Sequence, residues 1–453
     1  MESSKELLNK KFDIDSVRDF YLENLKFKSS VGIDKINNRL FEKKFKSYTK
    51  HISDKVINNR YRFTPYKQKL FLKGVNKPPR QISIPTIRDK ITLGLLKEII
   101  HERFKDEIEH YTVQTTIKGI EEELNNGHFD YFIKIDISRF YDSIDHDILM
   151  RKVRRKIRSK AVLDLIWRAI RTPTVSEKTQ KKDRTNNTKG VPQGLPISNI
   201  LSSIFLINFD KKHKNKLTYK YFRYVDDILI LCSSTQYKDI KKEIVSELTS
   251  KTKYKLEINN DKKAEGLIMN GFDYLGYTLK PNSIVVRESS ITKLEHSLER
   301  MFLDYYHAKL QGKENIDFFM WQLNLKITGS IFKKNKYGWV FFFSQISPNN
   351  EWITHKLDIL VEKFINRFGM TKDVTQYKLR KFKRTYNEIR KNLNSTTYIP
   401  NFDKYSLDDK KRFIVEVLKD DLKGLSDEQI SNIFNKKIYK AMRELEKDTQ
   451  GVS

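Results

Sequence analysis

The stretch YFRYVDDILIL, residues 221–231, places two adjacent aspartates between a Tyr-Val pair and a run of Ile and Leu. The apolar run predicts a buried β-strand. Aspartate is depleted in strands, and an ionised carboxylate is costly to bury without a partner. Two readings of Asp226 and Asp227 follow: they cap a turn, or they hold a cation.

A third aspartate answers them. Asp136 stands at the end of another apolar strand, in YFIKIDISRFYDSIDHDIL (131–149), which turns helical around Asp142 to Asp145. If the two strands pair in one sheet, the three carboxylates converge. Such hard oxygen ligands suit Mg²⁺. A pair of these ions can clamp the attacking and leaving oxygens of an in-line phosphoryl transfer.

The rest of the chain bounds this reading. At 453 residues it exceeds one compact core and predicts two to four structural units. Lys and Arg number 88 against 58 Asp and Glu, a net charge of +30 that repels itself unless it meets a polyanion, and nucleic acid is the usual one. The single cysteine, Cys232, excludes a disulfide framework and a Cys-based zinc site. The N-terminus lacks an apolar signal core and no apolar run is long enough to cross a membrane, so a cytoplasmic protein with no membrane partner is expected.

Along the chain, residues 1–70 read as charged helices and QISIP (81–85) as a strand ended by Pro85. From Arg88 to about Phe104 a helix presents Ile91, Leu95 and Ile99. A Gly/Pro loop leads into a helix whose buried stripe holds Ile197, Ile200, Leu201, Ile204, Phe205 and Phe209. FDYLGYTLK (272–280) reads as a short strand or hairpin, and GWVFFF (338–343) as buried core, with a base-stacking surface as the alternative. Ser426 and Gln429 fit a capping box ahead of Ile430, Ile433, Phe434, Ile438 and Met442.

The blocks GID (32–34), RQISIPTIRDK (80–90), FIKIDISRFYDSIDH (132–146), GVPQGLPISNIL (190–201), RYVDD (223–227), LEINNDKK (256–263) and DYLGYTL (273–279) stand in the order found in prokaryotic reverse transcriptases, which the chain resembles over about residues 30–280. The ordered set is far more specific than any single block. The resemblance implies an α+β right-hand polymerase of fingers, palm with an antiparallel sheet, and thumb, with an α-helical C-terminal extension. The expected boundaries are 1–125 for the N-terminal region and fingers, 126–285 for the palm, 286–370 for the thumb and 371–453 for the extension.

The roles it implies are these. Asp136, Asp226 and Asp227 are catalytic and, with Ile137, hold Mg²⁺. Arg80 reaches the triphosphate, for which a guanidinium is suited, and Lys77 stands nearby. Gln193 and Gly194 line the nascent base pair, glycine allowing close backbone approach. Tyr141 packs under the sugar, where a 2′-hydroxyl would clash, so dNTPs are the expected substrate. Lys262 falls near the leaving pyrophosphate as a general acid, with Lys263 adjacent and a solvated basic turn as the competing reading. His146 reads as a structural hydrogen-bonding residue, since Mg²⁺ prefers oxygen.

Departures narrow the subgroup. Nothing after 280 resembles a ribonuclease H or an endonuclease. EHYTVQTTIKGIEEEL (109–124) stands where mobile-intron enzymes carry a YGFRPG-like block, and there is no Asn-Ala pair of the retron kind. KITGSIF (326–332), preceded by a thumb-like helix ESSITKLEHSLERMF (288–302), is similar to a retron element, so Thr328 and Gly329 are candidate RNA contacts, with a plain turn as the alternative. The bacterial antiphage-defence reverse transcriptases fit best. This implies an RNA template, a dedicated noncoding one, a DNA product, and for some relatives a second defence protein or a homo-oligomer. A retron-type enzyme making RNA-linked DNA, an RNA-binding or splicing cofactor, and a polymerase that extends a protein primer or works without a template are the alternatives.

Overall fold

The computed structural model describes residues 2–27, 30–72, 79–109 and 112–449. The chain forms two units, one of Met1–Tyr111 with Phe129–Gly266 and one of Thr112–His128 with Leu267–Ser453. The class is α+β, with antiparallel sheets and a helical C-terminal part, as expected.

In the first unit the central sheet runs in the order Tyr219–Tyr224, Asp227–Cys232, Tyr131–Ser138, Glu257–Ile258. Its two middle strands are the apolar runs of the sequence. Ile228 to Cys232 are all buried, as are Phe132, Ile133, Ile135 and Ile137, because the strands are covered on both faces. The helix Ser198–Lys214 packs on the edge strand and buries Ile200, Leu201, Ile204, Phe205 and Phe209. One continuous core joins these elements to the N-terminal helices.

A second small sheet pairs Tyr66–Phe71 antiparallel with Arg80–Ile84, placing Phe71 opposite Arg80. Pro85 ends the strand, and Thr86 caps the helix Ile87–Phe104 by accepting from the Asp89 amide. That helix is buried on more than the expected face, with Leu93, Leu96 and Ile100 enclosed beside Ile91, Leu95 and Ile99. The Asp89 carboxylate, fully buried, accepts from Thr86 Oγ1 at 2.7 Å, Tyr61 OH at 2.8 Å and Thr64 N at 3.2 Å. Burial outweighs those hydrogen bonds and pushes its pKa up to about 6.

The second unit holds a three-stranded meander, Phe272–Tyr274, Tyr277–Lys280 and Ser283–Val286, and five longer helices, Val113–Asn126, Glu288–Leu310, Ile316–Thr328, Trp352–Arg367 and Asp427–Thr449. Trp339 to Phe343 are buried, with the Tyr277 ring stacked on Phe342 at 4.3 Å, so the aromatic cluster is core, as the residue types predict. The Ser426–Gln429 capping box forms, at 2.8 and 3.3 Å. Among the described residues no helix is long and apolar enough to cross a membrane.

Candidate active site

The site begins with a register. Asp136 lies opposite Asp227 where the two central strands pair. Ile137 N–H donates to the Asp226 carbonyl at 3.1 Å, which makes Asp136 and Asp227 a non-hydrogen-bonded pair. Such pairs stand closest, at about 4.5 Å between Cα atoms, with both side chains on one face. Two carboxylates so placed repel each other. Like charges directly opposite weaken a sheet, so this pairing disfavours a purely structural role.

Asp226 sits in the turn that precedes Asp227. Tyr224 pairs with Asp227, so Val225 and Asp226 alone close the hairpin. Asp226 therefore shapes a turn, directly ahead of the paired Asp227. Val225 has φ +59°, in the left-handed region that a β-branched residue rarely occupies. Strain of this kind costs about 1–3 kcal/mol and collects at functional sites.

Three residues to which sequence reasoning gave no role hold the site. The Asn259 amide donates to Asp136 Oδ2 at 2.9 Å, and its backbone N–H donates to the Asp136 carbonyl at 2.9 Å. Arg223 reaches both carboxylate oxygens of Asp210 and the Val225 carbonyl. Asn259 and Arg223 lay inside recognised blocks, but only pairing shows what they touch. Asp210 ends an apolar helical stripe, and that is its one sequence signal.

The Gly/Pro loop closes the site on a second side. Val191 N–H donates to the Tyr141 carbonyl and Gly190 N–H to the Ile144 carbonyl, both at 2.8 Å. His146 Nε2 meets the Gly190 carbonyl at 2.6 Å, a structural hydrogen bond as expected. Burial lowers the His146 pKa, and since a carbonyl can only accept, Nε2 is the donor in this bond. Ser83 N–H donates to the Gln193 carbonyl at 2.7 Å, and Arg80 Nε to Gln193 Oε1 at 2.8 Å. Arg80, Gln193 and Gly194 are thus brought together. Gly194 has φ +98°, and a Cβ there would stand 2.7 Å from Ile82 Cγ2 and 3.0 Å from the Ser83 carbonyl.

Tyr141 is buried, and its hydroxyl donates to Asn199 Oδ1 at 2.7 Å. Burial raises its pKa, and the Asp226 charge adds to the rise. Behind the loop a cleft of about 900 Å³ is lined by Gly194, Pro196, Pro85, Lys90, Lys97 and His101 among others. Lys262 closes the turn Asn260–Lys262 that follows Asn259. Lys77 lies outside the described residues. Thr328 and Gly329 belong to the second unit. Thr328 is buried, its hydroxyl bonded to the Asn324 and Gly329 carbonyls at 2.9 Å, and Gly329 turns at φ +61° against the Tyr337 carbonyl.

The donor set fits a hard divalent cation: carboxylates of Asp136, Asp226 and Asp227, with no His or Cys among the candidates. Ile137 can offer only its carbonyl, which faces the same edge as its N–H, toward the turn. Among the described residues no three His, Cys, Asp or Glu side chains form a preformed cage. Mg²⁺ seldom uses one, because it keeps several waters and takes substrate phosphates as ligands.

Residues 67–279 match the family model described as reverse transcriptase (RNA-dependent DNA polymerase). The chain is 24% identical over 293 residues to Protein YkfC of Escherichia coli K12, covering 55% of this chain and 75% of that one. It is 26% identical over 192 residues to the group II intron-encoded protein LtrA of Lactococcus lactis subsp. cremoris, and over 181 residues to a putative COX1/OXI3 intron 2 protein of Saccharomyces cerevisiae. It spans only 30% and 20% of the length of those two proteins. Among solved structures, Candida albicans telomerase with a fragment of telomeric RNA is similar at 13% identity and a TM-score of 0.43, covering 92% of this chain and 68% of that one. The matched stretch holds every strand of the carboxylate sheet, and over it the chain is similar to the reverse transcriptase (RNA-dependent DNA polymerase) domain.

Proposed function

We propose that the protein extends a primer 3′-hydroxyl with deoxynucleotides, copying RNA into DNA. The observation that carries this reading is the pairing of Asp136 with Asp227 at a non-hydrogen-bonded position, with Asp226 in the turn that leads into Asp227. Asp136 and Asp226 would hold the divalent metal, with Asp227 and the Ile137 carbonyl beside them. When bound, the metal lowers the charge cost of phosphoryl transfer and activates the hydroxyl.

The remaining roles belong to the chain's own side chains. Arg80, whose Nε is held by Gln193, grips the triphosphate in this reading, and its contact with the Pro-Gln-Gly loop supports that role. Gly194 leaves room for the nascent base pair. The Tyr141 ring, fixed by Asn199, excludes a 2′-hydroxyl and so selects dNTPs. By family resemblance Lys262 is assigned to the leaving pyrophosphate and Lys77 to the triphosphate. By family resemblance alone Thr328 and Gly329 are assigned to a turn that meets RNA.

By family resemblance we place fingers, palm, thumb and extension at the boundaries expected above, and assign a dedicated noncoding RNA template and a role in antiphage defence. The intron-encoded relatives favour a second reading, an RNA-binding splicing cofactor whose polymerase site is incidental. One experiment separates them. Purified protein, with the RNA that accompanies it, is incubated with labelled dNTPs and Mg²⁺ beside Asp226→Ala. DNase-sensitive product from the wild type alone supports the polymerase, and its sequence identifies the template. Bound RNA without incorporation supports the cofactor.

A further inference from the structure

The hairpin that carries Asp226 has an unusual requirement. Two residues close it, and of these Val225 takes φ +59° while Asp226 does not take a positive φ. This is the type II′ pattern, whose first central position belongs to glycine. What separates this turn from its alternatives is the orientation of the peptide plane between its two central residues. Here that plane joins Val225 to Asp226, so its orientation sets where the Asp226 side chain leaves the backbone.

One side chain grips that plane. Arg223 Nη1 donates to the Val225 carbonyl at 2.8 Å. The same guanidinium donates through Nε to Asp210 Oδ1 at 2.7 Å, and through Nη2 to Asp210 Oδ2. Tyr221 OH donates to Asp210 Oδ1 at 2.8 Å, which fixes the carboxylate in turn. The Arg223 side chain is only 8% exposed. Burial opposes its charge, and the Asp210 carboxylate overcomes that penalty and holds the group firmly protonated.

The anchor is not local. Asp210 belongs to the helix Ser198–Lys214, whose N-terminal end presents Asn199 to the Tyr141 hydroxyl. One rigid helix thus ties the residue under the sugar to the turn that bears a carboxylate.

We propose that Arg223 is a positioning residue for catalysis: it holds the Val225–Asp226 peptide in a conformation that valine alone would not keep, and it does so from Asp210. The inference deepens the polymerase reading and rests on it for the kinetic readout. Lysine in its place keeps a charge opposite Asp210, but a point charge cannot span both Asp210 oxygens and the Val225 carbonyl as a planar fork does.

The test compares wild type, Arg223→Lys, and Arg223→Lys with Val225→Gly. Each is read by dNTP incorporation kinetics in Mg²⁺ on a primed RNA template and by hydrogen exchange of peptides covering 221–231 and 131–138. We expect Arg223→Lys to lower kcat by about 10- to 100-fold, as small displacements of reacting groups do, with KM for dNTP within about threefold. Exchange should rise in 221–231 and not in 131–138. Glycine accepts the positive φ without strain, so Val225→Gly should restore kcat about tenfold in that background. Wild-type kcat and exchange in Arg223→Lys would overturn the proposal. So would equal loosening of both peptides without rescue, the mark of general stabilisation. If the wild type incorporates nothing while Arg223→Lys still loosens 221–231 alone, the polymerase reading fails and the turn-holding role stands. If Arg223→Lys does not fold, Arg223→Met with Asp210→Leu removes both charges together and carries the same readouts.

Discussion

Replacing Gly194 by alanine tests how closely the Gln193–Gly194 loop must lie on the strand Arg80–Ile84. The added methyl would stand 2.7 Å from Ile82 Cγ2 and 3.0 Å from the Ser83 carbonyl, nearer than Cβ atoms normally approach. Overpacking of this order costs about 1–3 kcal/mol. The φ of +98° adds about 1–2 kcal/mol for an L-residue. The strand can escape by lifting away, which breaks the Ser83–Gln193 hydrogen bond, worth about 1 kcal/mol, and carries Arg80 off Gln193. The escape relieves the contact but not the backbone strain, so the net loss should be about 2–3 kcal/mol. Activity should suffer more than stability, because the escape displaces Arg80; a fall of about 100-fold in incorporation is expected. Urea unfolding and dNTP incorporation measure the two effects. Gly266→Ala, whose methyl would meet only Phe132 at 3.4 Å, is the matched control. A Gly194→Ala protein with the control's stability and wild-type incorporation would refute the close packing of loop on strand.

Three further outcomes are expected. Asp136→Asn should abolish incorporation while leaving thermal stability equal or higher, since it removes one of two opposed charges; a fall in melting temperature of several degrees would contradict the repulsion argued above. Tyr141→Ala should cut the preference for dNTP over rNTP at least about tenfold in competition assays, and unchanged selectivity would remove Tyr141 from sugar discrimination. Asp89, with its pKa raised to about 6 in the folded protein, binds its proton more tightly folded than unfolded. Its contribution to stability is therefore greatest below pH 4 and is lost as pH rises toward 6, by about 3 kcal/mol in all. Urea unfolding of Asp89→Asn between pH 4.5 and 7 should show a correspondingly flatter dependence, and parallel curves would reject the buried carboxylate as the cause.

Much of this architecture was legible in residue order. Apolar runs ending in Asp136 and beginning after Asp227 had to be buried strands, and the helix after Gly194 shows its stripe plainly. Strand identity does not give register, however. That Asp227, not Asp226, stands opposite Asp136 is set by the long-range pairing of Tyr131–Ser138 with Asp227–Cys232, and the adjoining hairpin is closed by only two residues, with valine where glycine is the signal. The link of Arg223 to Asp210 joins a strand to a helix face, a contact that periodicity cannot reveal. Gln193 was readable as a substrate residue, but its hold on Arg80 spans more than a hundred residues of sequence.

The helix Val113–Asn126 lies in sequence between two segments of the first unit yet belongs to the second. Its apolar side chains Ile117, Ile120 and Leu124 are buried, and Asn125 accepts from the Asn282 backbone at 2.8 Å. During synthesis this helix leaves the ribosome before any residue past Leu267 exists. At about 5–20 residues per second, the roughly 140 residues in between take roughly 10–30 s. For that interval an amphipathic segment waits without its partners, and the nascent chain offers a chaperone a binding site that the finished protein does not have.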